Sequence, residues 1–224
     1  GWEKWSLPLG NGYSGINVFG RTDTERIQIT DNTLSSQLNK IETVNGKDYF
    51  AGGLNNFSET YIDFGHTNSA VTNYSRELDL KTAISTVKYN YNGVTYSREY
   101  FTSYPDKAMV IKLDASENGA LDFVLRPTVP YEQEHMTNPG DNGGKTGTVT
   151  SSVSNNVGNI VLSGTLQYFG IDFVGLYNVY SDGTVTATTC VNEDGDTDGT
   201  ITVSGATSAY IVITMGTDYE LVSE

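Results

Sequence analysis

Two sets of residues in this chain have types and spacing that could do chemistry. The first is Asn192-Glu193-Asp194-Gly195-Asp196-Thr197-Asp198-Gly199. Alternating carboxylates ahead of a glycine resemble the first half of a calcium loop, because calcium takes six to eight oxygen ligands. A helix–loop–helix calcium site would close its cage with a glutamate where this chain has Gly205. The stretch also sits between strand-like runs, so an acidic hairpin tip is the better reading, and Ca2+ is the one cofactor left open. The second set is any pair of carboxylates serving as acid and base on a glycoside. The chain has 27 Asp and Glu, but spacing along one sequence cannot pair residues on different strands. No catalytic residue is therefore named.

Nucleophilic chemistry has little to draw on. Cys190 is the only cysteine, so no internal disulfide forms. It lies in the strand-like run TVTATTCV, where a buried, inert thiol is expected. The two histidines, His66 and His135, are remote from it in sequence. A third feature is steric. In Leu7-Pro8-Leu9-Gly10-Asn11-Gly12-Tyr13-Ser14-Gly15 three glycines fall within six positions. Glycine accepts positive φ and lets another backbone come close, so this stretch fixes a chain path ahead of Ile16, Val18 and Phe19. It reads first as a loop entering a β-domain.

The elements that must position these residues are strands. A chain of 224 residues can bury a core as one β-domain without disulfides. A net charge of −14 with no Lys/Arg run argues against nucleic acid and anionic membrane surfaces as partners. No apolar run is long enough to span a bilayer as a helix. Fifteen tyrosines and 24 glycines suit an extracellular β-protein, and the acidity suits a secreted or surface one.

Glu25 to Thr30 and Thr60 to Phe64 read as strands, separated over 35–58 by a Gly/Asn-rich loop. The plainest local structure is a hairpin over 84–101. Asn92-Gly93 supplies the two positive-φ residues of a type I′ turn. That register sets Tyr91 opposite Val94, Tyr89 opposite Tyr96 and Val87 opposite Arg98. Ala108–Leu113 and Leu121–Leu125 follow as strands, turning through Glu117-Asn118-Gly119. A long polar loop over 130–147, holding His135, has freedom to act as a lid or contact surface. A second tight hairpin is expected at Asp182-Gly183, pairing Tyr180 with Val185. Thr200–Val203 and Ala209–Ile213 close the chain. No segment keeps helical periodicity, and no repeat or linker appears. The fold expected is all-β with little helix: one large antiparallel β-sandwich.

Ordered blocks then carry a family resemblance. They are Leu7-Pro8-Leu9-Gly10-Asn11-Gly12 with Val18-Phe19-Gly20 and Asn32-Thr33-Leu34, then Tyr74-Ser75-Arg76-Glu77-Leu78-Asp79-Leu80. Gly93-Val94-Thr95-Tyr96-Ser97-Arg98-Glu99-Tyr100-Phe101 and Ala206-Thr207-Ser208-Ala209 complete them. The chain resembles the N-terminal domain of glycoside hydrolase family 95, the inverting α-L-fucosidases and their α-L-galactosidase relatives. The resemblance implies a super-sandwich that packs against a downstream (α/α)6-barrel, where the acid, the base-side residues and most contacts to the glycan substrate lie. It also implies that Asn11, Gly12 and Tyr13 face that barrel and are partly exposed. Ser35 stands where the family usually has tryptophan, and the chain lacks the helical insertion usual after that point. Two other readings stay open: an autonomous carbohydrate-binding module, which needs exposed aromatics on one face, and a calcium-stabilised adhesion module.

Overall fold

A computed structural model describes residues 2–35, 40–44, 47–51, 54–130, 132, 144–166 and 170–220. Apart from a four-residue helix, Trp2–Trp5, and a single 3-10 turn, its regular structure is strand. Two large antiparallel sheets form a sandwich, as alternation of apolar and polar residues along short runs requires.

One sheet has seven strands: β1 (Leu7–Gly10), β2 (Ser14–Val18), β3 (Thr24–Ser35), β6 (Leu54–Asp63), β11 (Leu121–Thr128), β16 (Thr197–Ala206) and β15 (Thr184–Val191), in that spatial order. The other has eight, in the order β12 (Lys145–Ser154), β13 (Val157–Leu166), β14 (Ile171–Ser181), β17 (Ser208–Thr217), β10 (Ala108–Ala115), β9 (Val94–Ser103), β8 (Ile84–Tyr91) and β7 (Thr72–Asp79). The inward positions of both sheets make a continuous core. Ile27, Ile29, Ile62, Leu125 and Ile201 from the first meet Tyr100, Ile111, Tyr177 and Ile211 from the second. Fully burying each such side chain contributes roughly 1.5–3 kcal/mol.

The β8–β9 hairpin has the expected register, with Tyr91 opposite Val94, Tyr89 opposite Tyr96 and Val87 opposite Arg98. Asn92 and Gly93 take φ of 50° and 87°, the two positive values a type I′ turn needs. Two other expectations are overturned. Asp182-Gly183 is not a hairpin turn, and Tyr180 does not pair with Val185. Here β14 ends in the eight-stranded sheet and β15 starts in the seven-stranded one. The Asp182 carboxylate accepts from the backbone N–H groups of Thr207 (2.8 Å) and Ser208 (3.0 Å), at the other crossing between sheets. A Cβ on Gly183 would come within 2.5 Å of the Ser204 carbonyl oxygen, so glycine here serves close approach and not a turn.

The expected loop over 35–58 is also partly strand. Its residues include β4 (Lys40–Val44) and β5 (Lys47–Ala51), which pair antiparallel from Lys40↔Ala51 to Val44↔Lys47, and the start of β6. Runs such as Ile41-Glu42-Thr43-Val44 and Asp48-Tyr49-Phe50 are rich in β-formers, which outweighs the glycines around them. The polar loop after residue 130 ends sooner than expected, because β12 begins at Lys145. His135 lies outside the described residues.

Candidate functional site

The glycine-rich opening forms the turn between β1 and β2. Asn11 holds it: its Oδ1 accepts from the N–H groups of Tyr13 (3.0 Å) and Ser14 (2.8 Å), and its Nδ2 donates to the Ser103 carbonyl (2.9 Å). Asn11 is buried for that reason, not partly exposed as expected. Gly12, at φ 86°, is exposed and Tyr13 is half-exposed. The Tyr13 ring stacks on Tyr104 with centroids 5.6 Å apart, and the Lys107 ammonium lies 4.5 Å from the Tyr13 centroid. The end of β17 reaches the same end of the sandwich. Ser14 Oγ lies 3.5 Å from Met215 Sδ, and the hydroxyls of Thr33 and Thr217 are 2.5 Å apart.

A second group of functional side chains is internal. Glu25, on an inward position of β3, is fully buried and accepts from the N–H groups of Gly20, Arg21 and Arg26 and from the Tyr100 hydroxyl (2.7 Å). Arg98 Nη1 lies 3.3 Å from Glu25 Oε2, while Nη2 donates to the Arg21 carbonyl (2.7 Å). Arg98 Nε has no hydrogen-bond partner among the described residues, and the guanidinium lies over the rings of Phe64 (4.9 Å) and Tyr89 (5.6 Å). His66 packs beside them, bonded to the Tyr89 hydroxyl (2.9 Å) and stacked on Tyr91. Burial, and then the Arg98 charge, push its pKa down to about 4, so the ring is neutral at pH 7. These groups cross-link the two sheets and are closed to substrate.

The third group lies on the outer face of the seven-stranded sheet. Register places Tyr61 of β6 between Arg26 of β3 and Arg126 of β11. Arg26 forks onto Glu59 (Nε to Oε2, 2.8 Å; Nη2 to Oε1, 3.0 Å), and Arg126 forks onto Asp63. Gln28 and Asn56 add bonds to Glu59 at 2.7 and 2.8 Å. Each of these carboxylates is thus neutralised by a bidentate arginine. Beside this lattice, Tyr61 and Arg126 line the floor of a cleft of about 460 Å³ whose rim is the β15–β16 turn, Asn192 to Asp194. Buried Asp198 accepts from Asn192 Nδ2 (3.1 Å), and burial raises its pKa.

The acidic stretch is accordingly a hairpin tip, with Cys190 opposite Asp198. Asn192 Oδ1 organises it by accepting from the N–H groups of Asp194 and Asp196, both at 3.0 Å. Among the described residues no three His, Cys, Asp or Glu converge as metal ligands. Cys190 is half-buried on the cleft wall and not in the core, because it faces outward on β15. Burial raises its thiol pKa, which keeps it protonated. The cleft joins residues 21, 24, 59, 61, 126–130, 190, 192–194 and 198, and sequence reasoning missed Tyr61 and Arg126 there, and Asp63 that pairs with Arg126 beside it. Their only sequence signal is the alternation that puts Glu59, Tyr61 and Asp63 on one face of β6.

Residues 35–221 match the family model described as "Glycosyl hydrolase family 65, N-terminal domain". The match carries the number 65 where the sequence resemblance pointed to 95, and it begins after the glycine-rich opening. Over 171 residues the chain is 26% identical to "Alpha-L-fucosidase 2" of Arabidopsis thaliana, covering 62% of this chain and 20% of that protein. It thus spans about one fifth of the length of the curated relative it matches.

Proposed function

The chain belongs to the family of glycosyl hydrolase family 65 N-terminal domains, and we propose that it serves as a non-catalytic sandwich docked on the catalytic part of a larger hydrolase. The finer reading is a family 95-type enzyme, secreted or surface-borne, whose downstream (α/α)6-barrel cleaves α-L-fucosyl or related L-sugar linkages with inversion. The fucosidase name of the relative supports that substrate class.

One observation carries the docking. The outer face of the eight-stranded sheet carries several large apolar side chains set among polar ones such as Asn178, Thr214 and Lys112, more than a solvated face needs. Along one register row Phe101 of β9, Val110 of β10 and Val212 of β17 are neighbours. In the row on one side of it Leu176 of β14 sits beside Val161 of β13, and in the row on the other side Tyr180 of β14 sits beside Tyr210 of β17. Leu176, Tyr180 and Tyr210 keep 43, 46 and 44% of their surface exposed. A patch spanning five strands marks a contact surface. Its occupant is the rest of the polypeptide. Whatever follows β17, a strand of this very face, leaves at the end that presents Tyr13 and Tyr104, so the Gly12–Tyr13 turn forms the rim of the contact.

The carboxylates most tightly held by the sheets, Glu25, Glu59 and Asp63, are each paired with an arginine, and we read them as structural groups. The test is hydrolysis of an aryl α-L-fucoside by the 224-residue chain and by the full-length protein. Turnover by the full-length protein alone is expected, and turnover by the chain alone contradicts the reading.

A further inference from the structure

We infer that the cleft over Tyr61 is a binding site for a neutral oligosaccharide, separate from the catalytic centre. The inference builds on the hydrolase reading but concerns a different surface. The cleft, of about 460 Å³, falls within the roughly 300–1,000 Å³ usual for small-ligand sites.

Its chemistry is divided in the way a sugar ring demands. Its accessible apolar surface is the Tyr61 ring and Pro130, with Pro127 and Val129 buried, and suits the C–H face of a pyranose. The cleft also supplies hydrogen-bonding groups that the fold leaves unused. Tyr61 is half-buried on the floor, its ring held by the Arg126 guanidinium 5.0 Å from the centroid. Its hydroxyl has no hydrogen-bond partner among the described residues. Arg21 lines the cleft with its guanidinium 5.6 Å from the Phe19 ring centroid and in no ion pair among the described residues. Glu193 and Asp194 are exposed on the facing rim, with carboxylates that can accept from vicinal hydroxyls.

Charge selects among glycans. Arg126 is neutralised by Asp63, which leaves Arg21 facing Glu193 and Asp194, with Asp198 behind them. An excess of carboxylates repels uronic or sulfated saccharides. A polar, self-neutralised cleft of this kind fits hydroxyl groups better than ions.

The experiment is an amide NMR titration of the 224-residue chain with a neutral fucosylated trisaccharide, 2′-fucosyllactose, and with trigalacturonate. The neutral probe is expected to give saturable shifts at Tyr61, Arg126 and Asn192–Asp194, and the anionic probe none. Tyr61→Phe and Arg21→Ala should each weaken binding about tenfold while the urea midpoint stays unchanged. Four results overturn the site: no saturable shift with 2′-fucosyllactose, shifts confined to the Tyr13–Tyr104 corner, equal binding of trigalacturonate, or unchanged affinity in both variants. None of these bears on whether the chain docks on a catalytic partner. That reading fails independently, if the chain by itself hydrolyses the aryl fucoside.

Discussion

The two outer faces of the sandwich share one interior and have opposite chemistry. On the seven-stranded sheet, Arg26–Glu59 and Arg126–Asp63 bracket Tyr61 in a lattice that satisfies its own charges. On the eight-stranded sheet, outward positions of β13, β14, β17, β10 and β9 include Val161, Leu176, Tyr210, Val110 and Phe101, with Asn178, Thr214 and Lys112 between them. A solvated face gains nothing from exposed Leu and Tyr, and a docked one gains little from paired charges that must be stripped of water. The contrast supports the proposal that a neighbouring body covers the apolar face, while the charged face meets solvent and small ligands.

That contrast can be broken most forcefully through the interior on which both faces stand. Arg98→Met leaves Glu25 buried without its cation and should cost about 3–5 kcal/mol in urea unfolding. Both faces would be lost in one transition. Acid acts through the same region. His66 has a folded pKa of about 4 against about 6.5 unfolded, so between those values only the unfolded chain binds the proton. Stability present above pH 6.5 is lost as pH falls through that window, by up to about 3 kcal/mol. Denaturant melts at pH 7 and pH 4.5 measure it, and a flat profile would mean His66 is accessible.

The faces themselves should respond differently. Leu176→Asp lies on an exposed position, so it should leave the isolated chain folded while weakening association with the catalytic part at least tenfold, about 1.4 kcal/mol. Arg126→Gln on the other face should leave that association unchanged. Its cost to the chain should stay below about 1 kcal/mol and shrink in high salt, because the pair is part-exposed. Interface binding and melts of the two variants would reverse the assignment if Arg126→Gln proved the more damaging to association.

How much of this was legible before the structure follows from the range of each signal. The β8–β9 hairpin was readable to the residue because Asn92-Gly93 and the alternation beside it are local. Asp182-Gly183 looked equally local and misled. Which sheet β15 joins is decided by its pairing with β16 and by Asp182 holding Thr207 and Ser208, both distant in sequence. The Tyr61 cleft draws on five separate strands and could not be assembled from spacing. The apolar face did leave a trace, since Phe173-Val174-Gly175-Leu176-Tyr177 is apolar at inward and outward positions alike. Such a run reads as an ordinary buried strand unless the inward set is identified first.

Hydroxyl-radical footprinting of the full-length protein beside the 224-residue chain tests the docking most directly. Oxidation of Leu176, Tyr180 and Tyr210 should be strong in the chain and suppressed in the full-length protein, with Tyr61 oxidised alike in both. Suppression at Tyr61 with Leu176 and Tyr210 still oxidised would contradict the assignment of the two faces.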